Sequence, residues 1–249
     1  MAEKVKGEEM AEKVIGVLGG MGPEATLDCF DKIIKNTPAE KDQDHLRVLI
    51  DCNPKVPDRT AAICENGESP VPVMLDGARS LTQAGADFII IPCVSAHFFL
   101  DDLRRQIDIP ILSIFDAVTE AVDKDNPTIR VVGLLATTGT VQGGLFQKRL
   151  EQNKIATIVP GKSDQEKVMS CIYNIKVTQV RDRREKAKME LLEVANNLTK
   201  KGAQGIIAGC TEVPLALGPE DLQVPFFDPL LILARAAIME AGRKPRIRP

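Results

Sequence analysis

Three pairs of identical residues recur in this 249-residue chain at one spacing. Gly16 and Gly133, Gly85 and Gly202, and Cys93 and Cys210 are each 117 positions apart. Their surroundings match as well. Ile15-Gly16-Val17-Leu18 leads to Gly22, and Val132-Gly133-Leu134-Leu135 leads to Gly139. Gly85-Ala86-Asp87-Phe88-Ile89-Ile90 runs into Cys93, and Gly202-Ala203-Gln204-Gly205-Ile206-Ile207 runs into Cys210. Any two α/β units share glycine-hydrophobic patterns, but a cysteine at the common offset argues against coincidence. The chain therefore reads as two similar halves, 13–124 and 125–240, joined near Asp123-Lys124-Asp125-Asn126-Pro127. Residues 1–12 read as a flexible charged extension, and the helix expected at 228–240 could pack back on the N-terminal half.

Within each half, short runs rich in Val and Ile alternate with amphipathic stretches. Strands are expected near 14–18, 46–51, 87–92 and 110–114, then near 129–135, 155–159, 204–208 and 224–227. Unbroken apolar runs of this length suit strands buried on both faces, hence parallel sheets covered by helices such as 73–84 and 183–201. The fold class is α/β: two pseudo-symmetric parallel-sheet domains with the active site in the cleft between them. In such sheets ligands bind beyond the C-terminal strand ends, where both repeat cysteines fall.

Charge and cysteine usage narrow the function. With 32 Lys+Arg against 35 Asp+Glu, no field steers nucleic acid or an anionic membrane. No apolar run approaches the roughly 18 residues of a membrane span. The opening MAEKVKGEEMAEK lacks a signal-peptide apolar core, so a soluble cytoplasmic protein is expected. Six scattered cysteines without a CxxC pair argue against a disulfide framework or a zinc cage, with only His45 and His97 to help bind metal.

Five segments could carry chemistry. In Gly19-Gly20-Met21-Gly22-Pro23-Glu24-Ala25-Thr26, Gly20, Gly22 and Ala25 satisfy a weak dinucleotide pattern. The acidic residue expected about 20 positions on is missing, since Asp51 lies further away. A loop offering backbone donors to a small carboxylate fits better. In Pro92-Cys93-Val94-Ser95-Ala96-His97, a cysteine ahead of a helix is favoured as thiolate, the bland reading being a buried core cysteine. His97, four residues on, leaves a Cys–His hydrolase open. Gly209-Cys210-Thr211-Glu212-Val213-Pro214 repeats the arrangement. A hydrolase has no use for a second cysteine placed symmetrically, whereas inversion at a carbon needs two acid–base groups on opposite faces. Asn53-Pro54-Lys55-Val56-Pro57-Asp58-Arg59 is either a stiff loop with solvated charges or the seat of an arginine forked onto a carboxylate. Ala136-Thr137-Thr138-Gly139-Thr140 could bind an anion or merely cap a helix.

Together LGGMGPEAT (18–26), NPKVPDRTA (53–61), GADFIIIPCVSAH (85–97), GLLATTGT (133–140) and IIAGCTEVPL (206–215) resemble the aspartate/glutamate racemase family, most of all its aspartate racemases. The resemblance runs from about Ile15 to Ile238. It implies Cys93 and Cys210 as the two bases, no pyridoxal phosphate or metal, a small acidic amino acid as the substrate, and a homodimer. It also implies substrate binding by Met21, Gly22, Asn53, Arg59, Val94, Ser95, Thr137, Thr138, Lys176, Thr211 and Glu212, with Arg59 and Lys176 on the distal carboxylate. One departure stands out. The family's first cysteine is typically followed by Asn-Thr, and here by Val94-Ser95, which removes an amide donor. Aspartate is expected first and glutamate second. Maleate isomerisation, malonate decarboxylation and a non-catalytic binding module are the rivals.

Overall fold

The computed structural model describes residues 12–177 and 181–246, so residues 1–11 of the expected extension lie outside the described residues. The first sheet has the order β2-β1-β3, formed by β1 (Ile15–Gly19), β2 (Val48–Cys52) and β3 (Phe88–Ile90), all parallel. The second has the order β5-β4-β6-β7, formed by β4 (Val131–Leu134), β5 (Ala156–Ile158), β6 (Ile206–Ile207) and β7 (Phe226–Phe227), again parallel. β1 is buried along its whole length, which is why its run is continuously apolar rather than alternating.

The repeat survives in hydrogen bonds. The Asp87 carboxylate accepts from the Val14 N–H at 2.6 Å, and the Gln204 amide oxygen accepts from the Val131 N–H at 3.1 Å, each 117 positions on. Gly85 and Gly202 both adopt positive φ, +94° and +103°, ahead of their strands, a conformation that favours glycine.

One expected strand is absent. Residues 110–114 contribute only an isolated bridge, Ile89 to Ile111. Pro110 has no N–H to donate, although its carbonyl accepts from Ile89 at 2.8 Å. The Ser113 hydroxyl then accepts from the Asp116 N–H at 3.2 Å and starts α5 (Ile114–Asp125). The second half ends alike. After β7, the Asp228 carboxylate accepts from Leu230 and Leu231 and starts α10 (Pro229–Glu240).

These two helices cross between the halves. α5 packs on α7 (Leu145–Gln152) of the second half, while α10 packs on α1 (Pro23–Asn36) of the first and on α5 itself. Ile114, Val118 and Val122 thereby share one core with Phe146, Leu150, Leu230, Leu233 and Ala237. Phe115 meets Phe146 edge-to-face with ring centroids 4.6 Å apart. Each buried Leu, Ile or Phe here is worth about 1.5–3 kcal/mol, so separating the halves would expose a large apolar surface. The exchange also returns the chain to its start: the Lys13 N–H donates to the Ala241 carbonyl at 3.3 Å.

Candidate active site

Cys93 lies three residues past the end of β3 and Cys210 three past the end of β6, so equivalent strands deliver both thiols. They line one narrow cleft between the halves, and both are buried. Met21, Asp58, Arg59, Thr60, Val94 and Ser95 line it from the first half. Thr137, Thr140, Lys176, Gly209, Thr211 and Glu212 line it from the second. The chain beyond each cysteine forms a short 3-10 turn, Ser95–Phe99 and Val213–Leu215, rather than the α-helix expected after Cys93.

The two thiols have different neighbours. Cys93 Sγ is 3.6 Å from the Ser95 hydroxyl. Cys210 Sγ donates to Glu212 Oε2 at 2.9 Å, and the Thr211 hydroxyl donates to the same oxygen at 3.3 Å. Glu212 is itself buried, with Lys176 Nζ 4.0 Å from its other oxygen. Burial first, then the Glu212 charge, pushes the Cys210 thiol well above the ordinary range, with the Lys176 ammonium pulling the other way. In the free protein Cys210 therefore keeps its proton, directed at a carboxylate. Glu212 was expected among the substrate ligands; its oxygens face Cys210, Thr211 and Lys176.

Arg59 opens α2 (Arg59–Cys64) and is 8% exposed. Its Nη1 donates to the carbonyls of Val56 and Pro57 at 3.0 and 2.8 Å, and Nη2 donates to Met21 at 3.5 Å. These bonds fix the guanidinium plane, while buried Nε has no protein partner. Lys176 comes from the last turn of α8 (Lys162–Val177), and its side chain is 26% exposed. Burial works against its charge, but Glu212 and the sulfurs of Cys210 and Cys93 outweigh that and raise its pKa. Two cations thus reach the cleft from opposite halves.

The expected pairing of His97 with the Cys93 thiol does not form. Its Nδ1 donates to the Cys93 carbonyl at 2.9 Å, and its ring sits edge-on to Phe115 at 5.8 Å. Burial lowers its pKa to about 4. His97 is a neutral core residue, which removes the geometric basis for a Cys–His hydrolase.

Three expected ligands fall outside the cleft lining. Gly22 caps α1, its carbonyl accepting from the Thr26 N–H at 3.2 Å. The Asn53 side chain accepts from the Lys55 N–H at 3.0 Å. Its backbone presses on Gly20, where φ is +90° and a Cβ would lie 2.3 Å from the Asn53 carbonyl group, so only glycine fits that loop. Thr138 is occupied by α8: its N–H donates to Met169 Sδ at 3.1 Å and its hydroxyl accepts from Gln165 at 3.4 Å. The same segment caps α6 (Thr138–Gly143), the Thr137 hydroxyl accepting from the Thr140 N–H at 3.2 Å. The sequence reading missed Asp58, Thr60, Thr140 and Gly209 as cleft residues. Thr140 could have been found from the capping spacing three residues after Thr137. Val94 is buried and apolar where the amide was expected.

The Asp/Glu/Hydantoin racemase family matches residues 18–237. The broad specificity amino-acid racemase RacX of Bacillus subtilis is 27% identical over 231 residues, 90% of this chain and 96% of that protein. The solved Picrophilus torridus aspartate racemase superposes with a TM-score of 0.84 at 32% identity, covering 94% of this chain and 96% of that one. An aspartate racemase homologue from Pyrococcus horikoshii gives 0.76 at 28% identity, covering 93% of this chain and all of that one. Among the described residues, no helix is long and apolar enough to cross a membrane.

Proposed function

Because this chain belongs to the Asp/Glu/Hydantoin racemase family, we propose that it racemises an acidic amino acid, aspartate first and glutamate second, by proton transfer between two thiols. One observation carries the reading: two cysteines delivered by equivalent strands share a cleft with one cation from each half. The substrate's distal carboxylate would sit between Arg59 and Lys176, taking the free Nε edge of the guanidinium. Its α-carbon would then lie between the sulfurs.

In the forward step the Cys93 thiolate takes the α-proton, and the C–H electron pair moves into the carboxylate as an enediolate. Cys210 delivers its proton to the opposite face and becomes thiolate. Turnover of the other enantiomer runs the same transfer backwards. The Thr137 hydroxyl and the backbone N–H groups beyond the cysteines are the donors at hand for the enediolate. Glu212 disfavours charge on Cys210, so Cys210 is the acid of the resting enzyme. The reading includes catalysis without pyridoxal phosphate or metal by a cytoplasmic homodimer.

The test is incubation with L-aspartate and then L-glutamate in D2O, following the α-proton by NMR and the enantiomers by chiral chromatography. Exchange with racemisation is expected in the wild type and should be lost in Cys93→Ser and in Cys210→Ser. Wild-type rates in both variants would end the two-thiol assignment. Binding of aspartate without any exchange would favour a binding module.

A further inference from the structure

Lys176 can serve the cleft only if its helix is held there. α8 and α9 (Arg181–Lys200) pack as an antiparallel pair on the second half. Their base is tied within that half: Gln165 Nε2 donates to the Ala136 carbonyl at 2.9 Å, Asn197 Nδ2 to the Asp164 carboxylate at 3.2 Å, and Lys167 Nζ to Glu193 at 3.0 Å. The opposite end of the pair carries Lys176 on the last turn of α8 and Arg184 on the first turn of α9. Arg184 reaches across to the first half, where Nη2 donates to the Glu24 carboxylate. Glu24 stands in the first turn of α1, directly after the Gly20–Gly22 loop. Arg184 Nε is buried without a partner, so its guanidinium meets Glu24 through Nη2.

We propose that Glu24 and Arg184 form a positioning pair, tying the start of α9 to the first half and so holding Lys176 across the cleft from Arg59. The pair sets how closely Lys176 and Arg59 clasp the substrate's distal carboxylate, and so the affinity for the substrate. This rests on the racemase reading for its substrate, but not for its geometry. Both side chains are partly exposed, 30% for Arg184 and 43% for Glu24. Such an ion pair shifts an equilibrium by about twofold to fivefold, and less at high salt.

The experiment reads protection of the cleft thiols and catalysis separately. Glu24→Gln, Arg184→Gln and the charge swap Glu24→Arg/Arg184→Glu are treated with iodoacetamide in the absence of substrate, and alkylation is mapped at each cysteine. Cys52 and Cys64, both exposed, serve as internal standards. Alkylation of Cys93 and Cys210 should quicken by about twofold to fivefold relative to those standards in the single variants, and return towards wild type in the swap. In turnover, KM for aspartate should rise by a similar factor with kcat nearly unchanged. Unchanged thiol protection and KM in an active enzyme would overturn the pair and leave racemisation standing. Loss of protection, restored by the swap, in a protein that racemises neither amino acid would support the pair and sink the two-thiol reading instead.

Discussion

Replacing Glu212 by Gln removes the charge that holds the proton on Cys210 while keeping nearly the same volume. The thiol–carboxylate distance is 2.9 Å. At that distance, repulsion between a Cys210 thiolate and the Glu212 carboxylate is about 1.4 kcal/mol at a dielectric of about 80 and about 6 kcal/mol at about 20. The Glu212 charge therefore moves the proton's release to higher pH than it would have without it. Lys176, 4.0 Å from Glu212, pulls the thiol the other way in the wild type and in the variant alike. The assay is the pH dependence of iodoacetamide alkylation at Cys210, read by peptide mapping. Its midpoint should move to lower pH in Glu212→Gln. The alkaline limb of racemisation should follow, with a fall of about tenfold in rate as the thiol loses the carboxylate that orients its proton. A midpoint that stays put, or moves upward, would refute the claim that Glu212 sets the resting state of this cysteine.

Other expectations follow from neighbouring features. Arg59→Lys should raise KM for aspartate by about tenfold or more in steady-state kinetics, because a lysine cannot present a planar fork where Nε now lies free. His97, with a folded pKa of about 4 against about 6.5 unfolded, stabilises the protein fully above pH 6.5 and loses that contribution as pH falls towards 4. The loss is about 3 kcal/mol, and urea unfolding at pH 7 and pH 4.5 should show a smaller difference for His97→Asn than for the wild type. Gly139→Ala would place a Cβ 3.1 Å from Thr60 Cα, pushing α6 away from α2 across the cleft. It should cost about 1–3 kcal/mol in thermal or urea unfolding and weaken aspartate binding.

Much of this arrangement is legible in the sequence because it depends on local patterns. Buried parallel strands need continuous apolar runs, and seven of the eight expected runs form strands. The eighth fails at Pro110, whose missing N–H leaves a single bridge where the pattern of Ile and Leu promised a ladder. The cysteines are legible because each lies three residues past its strand, at the common spacing of 117. Glu212 is harder to read, since nothing in Cys-Thr-Glu says that the carboxylate folds back onto the thiol two residues earlier rather than facing a substrate. His97 fails for a related reason: spacing put it near Cys93, but the tight turn there brings the ring to the carbonyl instead of the sulfur. Glu24 and Arg184 lie 160 residues apart, and only the packed halves bring them together.

The exchange of α5 and α10 has a consequence for how the chain can be threaded. The link between the halves, from the end of α5 to the start of β4, spans residues 126–130. The corresponding place in the other half is where the end of α10 meets Lys13, with Ala241 and Lys13 already in hydrogen-bond contact. The covalent path is therefore close to a ring cut at one of two equivalent points. A circular permutant that joins Gly242 to Lys13 through a short glycine linker, and opens at Asn126, moves the cut to the other point. Every helix keeps its neighbour, both thiols keep their cleft, and only the order of the halves along the chain is reversed.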